Sequence, residues 1–341
     1  MNPTDPRNGK AHPLDRSLIE SALEKSPTGG NSKPFEWRWN GDSLHITHVE
    51  TLAAHYLNRN QHTSWIALGC LLTSVEVAAN AQGFEMQFLV SEQDLSAEVR
   101  FQPGMGPLHL DRLQALTTRT TYRGPLTASQ KPLITVEGAA SDVHVSIRAA
   151  QEISSEMKRF LTKADSYLWL QTAATRDFFR EVRFGKKSEH PDGRGIRVTD
   201  LGIGKADQLM LRCFSYMPWL PSIIARIPVL NSSFRASTRR SLKNAHLLLI
   251  SVDDLQPASL LKVGQESMKV WLKLEEQGYK VQPYSMASIT LVDAATGFLP
   301  TDTKAGFREL FSRVGPAILR RQFNLTPEQK PAWLLRVGKI S

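Results

Sequence analysis

Two cysteines are too few for a disulfide framework, and a chain of 341 residues has no need of one, being long enough to bury most of its apolar surface without covalent staples. Nor is there an apolar run near the roughly 18 residues of a membrane-spanning helix; the longest candidate, around Trp219 to Leu230, is broken by Pro221, Arg226 and Pro228. Whole-chain disorder is excluded by a hydrophobic fraction of 41%, which becomes roughly 45%, the ordinary globular value, when Gly is counted and Tyr is not. With no secretory start, the expectation is a cytoplasmic protein with no membrane partner. Acid is also in short supply: 33 Asp and Glu face 42 Lys and Arg, for a net charge of +9. That surplus favours anionic partners without choosing among nucleic acid, acidic lipid and phosphorylated cofactors.

What is present is a mixture of helical and strand periodicities without regular alternation, which predicts an α+β fold with helices packed on mixed or antiparallel sheets. Residues 1–13 carry three prolines and no periodicity and read as a flexible N-terminal tail. Helical spacing follows over 14–23, then strands at 35–39 and 44–49 around the Asn40–Asp42 turn, an apolar helix over 64–82 closed by Gly83, and a strand at 84–90. A short helix is expected at 108–118, an exposed sheet segment at 132–147 and a helix pair at 149–182. Five glycines between Gly185 and Gly204 mark a long connection, and proline-punctuated 217–234 suits an irregular lid. Next come a buried strand at 245–252, a helix at 256–277, a strand region at 279–292, a helix at 304–320 and a last strand at 332–337.

One internal similarity organises this order. Residues 64–88 match 259–283 without gaps, pairing Ser64 with Ser259, Gly69 with Gly264, Val75 with Val270, Gln82 with Gln277, Gly83 with Gly278 and Gln87 with Gln282. Each copy reads as strand, glycine-bearing helix, Gln-Gly-aromatic stop, strand. Two fused copies of one half would imitate a symmetric dimer within one chain; a common glycine helix cap is the plainer explanation.

Two segments carry candidate chemistry. The loop from Ser26 to Phe35 offers glycines for close backbone approach and Ser26, Thr28 and Asn31 for hydrogen bonds to a planar heteroatom edge, although an ordinary capped connection has the same composition. In Arg119-Thr-Thr-Tyr-Arg-Gly-Pro125, the alternation of Arg119, Thr121 and Arg123 in extended chain puts two forked donors and a hydroxyl on one face, suitable for a phosphate or simply a basic strand end.

The loop SPTGGNSKPF, followed by the hairpin Glu36 to Asp42, resembles the APSGHNTQPW-type loop of the nitroreductase family, and RTTYRGPL at 119–126 resembles the RRTNRRPF segment of its Acg-like branch of fused, internally duplicated proteins. Asp192-Gly193 to Leu201-Gly202, Gly264-Gln265 to Trp271-Leu272, Gly278 to Pro283 and Leu334 to Gly338 extend the resemblance over about 15–338. It implies a nitroreductase-like pseudo-dimer of a first half, 14–105, bearing the flavin-ring loop, and a second, 106–341, bearing the phosphate motif and a lid-like insertion at 185–240. One composite FMN site would follow. Ser26, Thr28, Gly29, Asn31 and Lys33 would lie at the ring, Arg119, Thr121 and Arg123 at the phosphate, and Gln282, Pro283 and Tyr284 at the ring from the second half. The implied activity is NAD(P)H-driven two-electron reduction of a small acceptor by a ping-pong mechanism, with no general acid or base assigned. The alternative within the family is a flavin-binding protein that stores or sequesters FMN with little reductase activity. Outside it stand a nucleic-acid binder using Arg235, Arg239, Arg240 and Lys243, and a metal site built from His45, His48, His55 and His62, for which no completing ligand set is present; His45 with Asp42 and His48 reads more simply as an exposed strand edge.

Overall fold

The structure, a computed structural model, describes residues 13–104, 110–134, 142–185 and 193–340. The N-terminal tail and parts of the expected 132–147 sheet segment and the glycine-rich connection lie outside the described residues. The first part of the chain runs α1 (Arg16–Lys25), β1 (Phe35–Asn40), β2 (Ser43–His48), α2 (Glu50–Ala53), α3 (His62–Asn80), β3 (Phe84–Ser91), β4 (Ser96–Pro103) and α4 (Leu110–Thr118). Next come β5 (Val143–Arg148), α5 (Ser155–Leu170), α6 (Thr172–Glu181), a short parallel pair of β6 (Val182–Arg183) and β7 (Ile196–Arg197), α7 (Lys205–Tyr216), α8 (Leu220–Ile224) and α9 (Pro228–Ser241). Finally β8 (His246–Val252), α10 (Pro257–Glu276), β9 (Lys280–Pro283), α11 (Ser285–Ala295), α12 (Ala305–Glu309), a π turn, α13 (Gly315–Phe323) and β10 (Lys330–Gly338) complete the fold. It is α+β.

Both four-stranded sheets are antiparallel, and they share one strand order: first, second, fourth, third, as β1-β2-β4-β3 and β5-β8-β10-β9. In each, a long helix, α3 or α10, joins the second strand to the third. The first sheet buries one face, with Leu44, Ile46 and Val99 turned inward in strict alternation. The second is covered on both faces, so all seven residues of β8 are buried. Leu248 and Ile250 join the core around α3 and α10, while Leu247 and Leu249 face a second core built with α5, α11 and α13. The molecule is therefore layered as sheet, helices, sheet, helices.

Helix α3 is buried on every side except at Glu76 and Asn80, and the reason is its neighbour. It crosses α10 with no side chain between the backbones. A Cβ on Gly69 would stand 2.0 Å from the Leu261 carbonyl oxygen, and one on Gly264 would stand 2.0 Å from that of Ile66. These clashes are reciprocal under the same 195-residue offset that aligns the sequences, since Ile66 corresponds to Leu261 and Gly69 to Gly264.

Three local expectations are corrected. The segment 284–292, expected to continue as strand, is α11; a short apolar run does not distinguish a buried strand from a buried helix, and seven consecutive residues from Ala287 to Asp293 are buried. The irregular reading of 217–234 gives way to α8 and α9, because Pro221 and Pro228 fall in first turns, where the missing N–H costs nothing. Strand β2 is paired on both sides, so His45 and His48 are not on a sheet edge; His48 Nε2 lies 2.9 Å from Ser64 Oγ.

Gly264→Ala should lower unfolding stability by about 3 kcal/mol or more, because backbone on both sides resists the added methyl. Gly306→Ala, with nothing within 4 Å, should be neutral or stabilising. Urea denaturation of the two variants checks this contrast.

Candidate functional site

A cavity of about 380 Å³, within the about 300–1,000 Å³ range of small-molecule sites, opens beside the α3–α10 crossing. Ile66, Ala67, Ile289 and Trp333 supply much of its apolar lining, with Trp271 from α10 and Cys70 from α3. Cys70 is no nucleophile: its thiol donates to the Gly264 carbonyl at 3.2 Å, and burial pushes its pKa up to about 12. Another cavity, of about 600 Å³, lies where α3 and α10 begin and is lined by His62, which pairs with Asp293 at 2.8 Å, but it gathers none of the candidate motif residues.

The loop after α1 turns sharply through Gly30, Asn31 and Lys33, all at positive φ. Thr28 and Gly29 face the cavity, and Thr28 Oγ1 accepts from the Lys33 amide at 3.1 Å, which closes the loop. Gly30 lies at φ 59°, in the left-handed region that favours glycine, and a Cβ there would press on the movable Glu181 carboxyl. Asn31 turns elsewhere: its Nδ2 donates to the carbonyls of Gly193 and Gly195 at 2.8 and 3.1 Å, pinning the long connection to the loop. Lys33 pairs with Glu24, and the buried Ser26 hydroxyl has no hydrogen-bond partner; neither residue lines the cavity.

The arginine segment is held as a strand-like arm. Thr121 bridges Val281 in parallel, and the Tyr122 amide donates to the Val281 carbonyl at 3.0 Å. Thr121 and Arg123 reach the cavity, and Gly202 lets the connection pass directly against the Arg123 backbone. Arg119 does not line the cavity. Its guanidinium stacks 4.7 Å from the Trp271 ring and donates to the Lys25 carbonyl, and burial lowers its pKa to about 10. Gln282, Pro283 and Tyr284 form a further wall. Thus seven of the eleven candidate residues face one cavity, while Ser26, Asn31, Lys33 and Arg119 stand behind it.

The residue that assembles this wall was not singled out from the sequence. Arg336 is 1% exposed and faces no carboxylate; instead its Nε donates to Ser241 O at 2.7 Å, Nη2 to Gly124 O at 2.6 Å, and Nη1 to Gln282 Oε1 at 2.9 Å and Tyr122 O at 3.4 Å. One guanidinium thereby joins the arginine arm, β9 and the end of α9. An arginine within the apolar run Trp333 to Val337 was the available signal.

The cover was also illegible. α5, α6 and α9 bring Asp165, Asp177, Glu181, Thr238 and Ser241 to the cavity. Asp165 accepts from the Thr238 hydroxyl at 2.9 Å, yet burial pushes its pKa up to about 6; burial, then repulsion from Asp177, pushes Glu181 up to about 7. His55, also in the lining, is held below its usual pKa by burial. Among the described residues no cluster of three or more His, Cys, Asp or Glu could hold a metal ion.

FMN is tested against these residues by the donors they leave over. Thr121 and Arg123 offer charge-assisted hydrogen bonds to a phosphate, while Thr28, Gly29 and Gln282 offer polar contacts to a ring edge. Trp271 Nε1, on a residue of the lining, is a buried donor with no hydrogen-bond partner among the described residues. Partial neutralisation of Asp165 and Glu181 reduces repulsion of an anion. The residues fit the group.

Arg336→Met should destabilise by at least about 3 kcal/mol in urea unfolding, because it strips several buried acceptors at once. Asp165 and Glu181 hold protons more tightly folded than unfolded, where their values are near 3.8 and 4.5. Their contribution is therefore complete below about pH 4 and is lost as pH rises through about 6 to 7. Asp165→Asn should reduce the loss of unfolding stability between about pH 5 and about pH 8, and an unchanged loss would refute the assignment.

No protein-family model matches the chain, and no curated protein matches it. Among solved structures, a crystal structure described as a "putative nitroreductase" from Anabaena variabilis is similar to this chain at 9% sequence identity and a TM-score of 0.34, over 88% of this chain and 69% of that one. A likeness of that degree carries no functional argument, so the functional reading rests on the cavity and its residues.

Proposed function

We propose that this chain is an FMN-dependent oxidoreductase of nitroreductase type, with one flavin site formed between two fused, related halves at 14–105 and 106–341. The observation that carries the reading is convergence: loop 28–29, arm 121–123 and wall 282–284, widely separated in sequence, line one cavity of about 380 Å³. The duplication is supported by the shared strand order of the two sheets and the reciprocal crossing of α3 and α10.

When bound, FMN supplies hydride chemistry between a nicotinamide donor and a small acceptor. The chain's own contribution is binding, orientation and dielectric. Arg123 and Thr121 would hold the phosphate; Thr28, Gly29 and Gln282 would fix the ring edge; Pro283 and Tyr284 would bound it from the second half. The helical cover would exclude water from the reacting face. That cover also favours the second reading, a protein that sequesters FMN, because Asp165 and Thr238 are hydrogen-bonded to each other across α5 and α9.

Arg123→Ala should weaken FMN binding about 10- to 100-fold, the loss expected for one charge-assisted hydrogen-bond donor, while leaving riboflavin affinity unchanged. Titration of each flavin by fluorescence quenching measures this. Failure of the unmodified chain to bind FMN would reject both readings. Anaerobic addition of NADPH separates them, since a reductase bleaches its flavin and a sequestering protein keeps it oxidised.

A further inference from the structure

The charge surplus is concentrated on α7 to α9. Between Lys205 and Lys243 the chain carries seven basic residues and one acid, Asp207, a surplus of six out of the whole chain's nine. The same stretch holds seven of the twelve large apolar residues exposed among the described residues. On α7, Lys205, Leu209, Arg212 and Tyr216 are all exposed and fall at i, i+4, i+7 and i+11, a single stripe, whereas Leu211 and Phe214 point inward. Met217 continues the exposed surface, and Trp219, Ile223, Arg226 and Ile227 repeat the spacing through α8, with Tyr216 76% and Trp219 51% exposed.

We propose that this outer face of α7 and α8, flanked by the basic end of α9, docks on the surface of an anionic lipid bilayer. Charge complementarity selects the occupant. A second copy of the chain would bring two basic patches together, at a repulsive cost. Nucleic acid would satisfy the arginines, but phosphate contacts leave Leu209, Ile223 and Ile227 in water. A lipid interface takes both: apolar groups enter the headgroup and acyl boundary, Trp219 and Tyr216 sit at that boundary, and Arg212 and Arg226 meet anionic headgroups. Because no helix among the described residues is long and apolar enough to cross a membrane, the attachment is peripheral. Helix α9, which flanks this face, lines the cavity through Ser237, Thr238 and Ser241, so docking would set the bilayer beside one helix of the candidate site's cover.

Co-sedimentation of the full chain with vesicles of equal parts phosphatidylserine and phosphatidylcholine should show binding that is lost on phosphatidylcholine alone. Arg212→Glu with Arg226→Glu should weaken it by at least about 25-fold, at about fivefold for each basic residue near the surface. Trp219→Ser with Ile223→Ser should weaken it about tenfold or more. Leu89→Ser, which removes a still more exposed apolar residue from β3, should change nothing. Thermal melts establish that each variant is folded, and the charge-reversal pair carries the test if the apolar pair is not. The proposal is overturned by equal binding to neutral vesicles, by no binding to either, or by variants that bind like the parent. It is also overturned if light scattering shows a dimer broken by the apolar pair with no lipid binding, or if the face binds duplex DNA and not vesicles.

Discussion

The approach of two helix backbones at Gly69 and Gly264 constrains most of this molecule. Each glycine meets a carbonyl of the opposing helix, so the crossing cannot relax without separating the sheets on either side. It forces α3 to be buried nearly all round, which in turn accounts for its apolar sequence. It also brings Cys70 and Trp271, from different helices, to one cavity beside the contact. Position in the fold, rather than any local motif, brings the candidate residues together.

Around that frame the cavity wall is fastened by a buried cation that answers to carbonyl dipoles and one amide. Arg336 has no carboxylate among its bonded partners, so its charge is offset by backbone and side-chain oxygens converging from three elements. This arrangement holds Gln282 and the 122–124 arm in fixed relation and leaves Arg123 to face the cavity. Arg119 has a different role: stacked on Trp271 and bonded to the Lys25 carbonyl, it ties the end of α1 to α10. The two arginines of the motif are thus divided between framework and ligand.

Much of the fold was legible because its signals are local. The alternation of Phe35 to Val49 and the uniform apolarity of β8 and α3 specify their elements directly, and the repeat aligns Gly69 with Gly264, two positions that meet at the helix crossing. The misreadings have one cause. Pro221 and Pro228 punctuate a segment whether they break helices or start them, and the run after Tyr284 is apolar on every side whichever periodicity it follows. In the candidate site, residues in motifs were found, whereas Asp165, Glu181 and Arg336 were not, because their significance lies in desolvation and in partners more than fifty residues away. Asn31 and Lys33 carry suitable chemistry and spend it on Gly193, Gly195 and Glu24.

The distribution of charge separates two kinds of electrostatics that the net value merges. Inside, Arg119, Arg123 and Arg336 are cations whose pKa burial lowers, a cost offset in part by carbonyls and an aromatic ring. On the cover, burial favours the protonated forms of Asp165 and Glu181, so the cavity combines the Arg123 cation with carboxyls that hold protons more tightly than usual. An anion entering the cavity would strengthen both tendencies at once, since it stabilises the arginines and further disfavours carboxylates. Outside, the basic residues of α7 to α9 are largely exposed, contribute little to folding, and act through the field they project into solvent. The excess of nine positive charges is therefore chiefly a property of one surface, and of the three inner arginines Arg123 lines the cavity while Arg119 and Arg336 brace the framework around it.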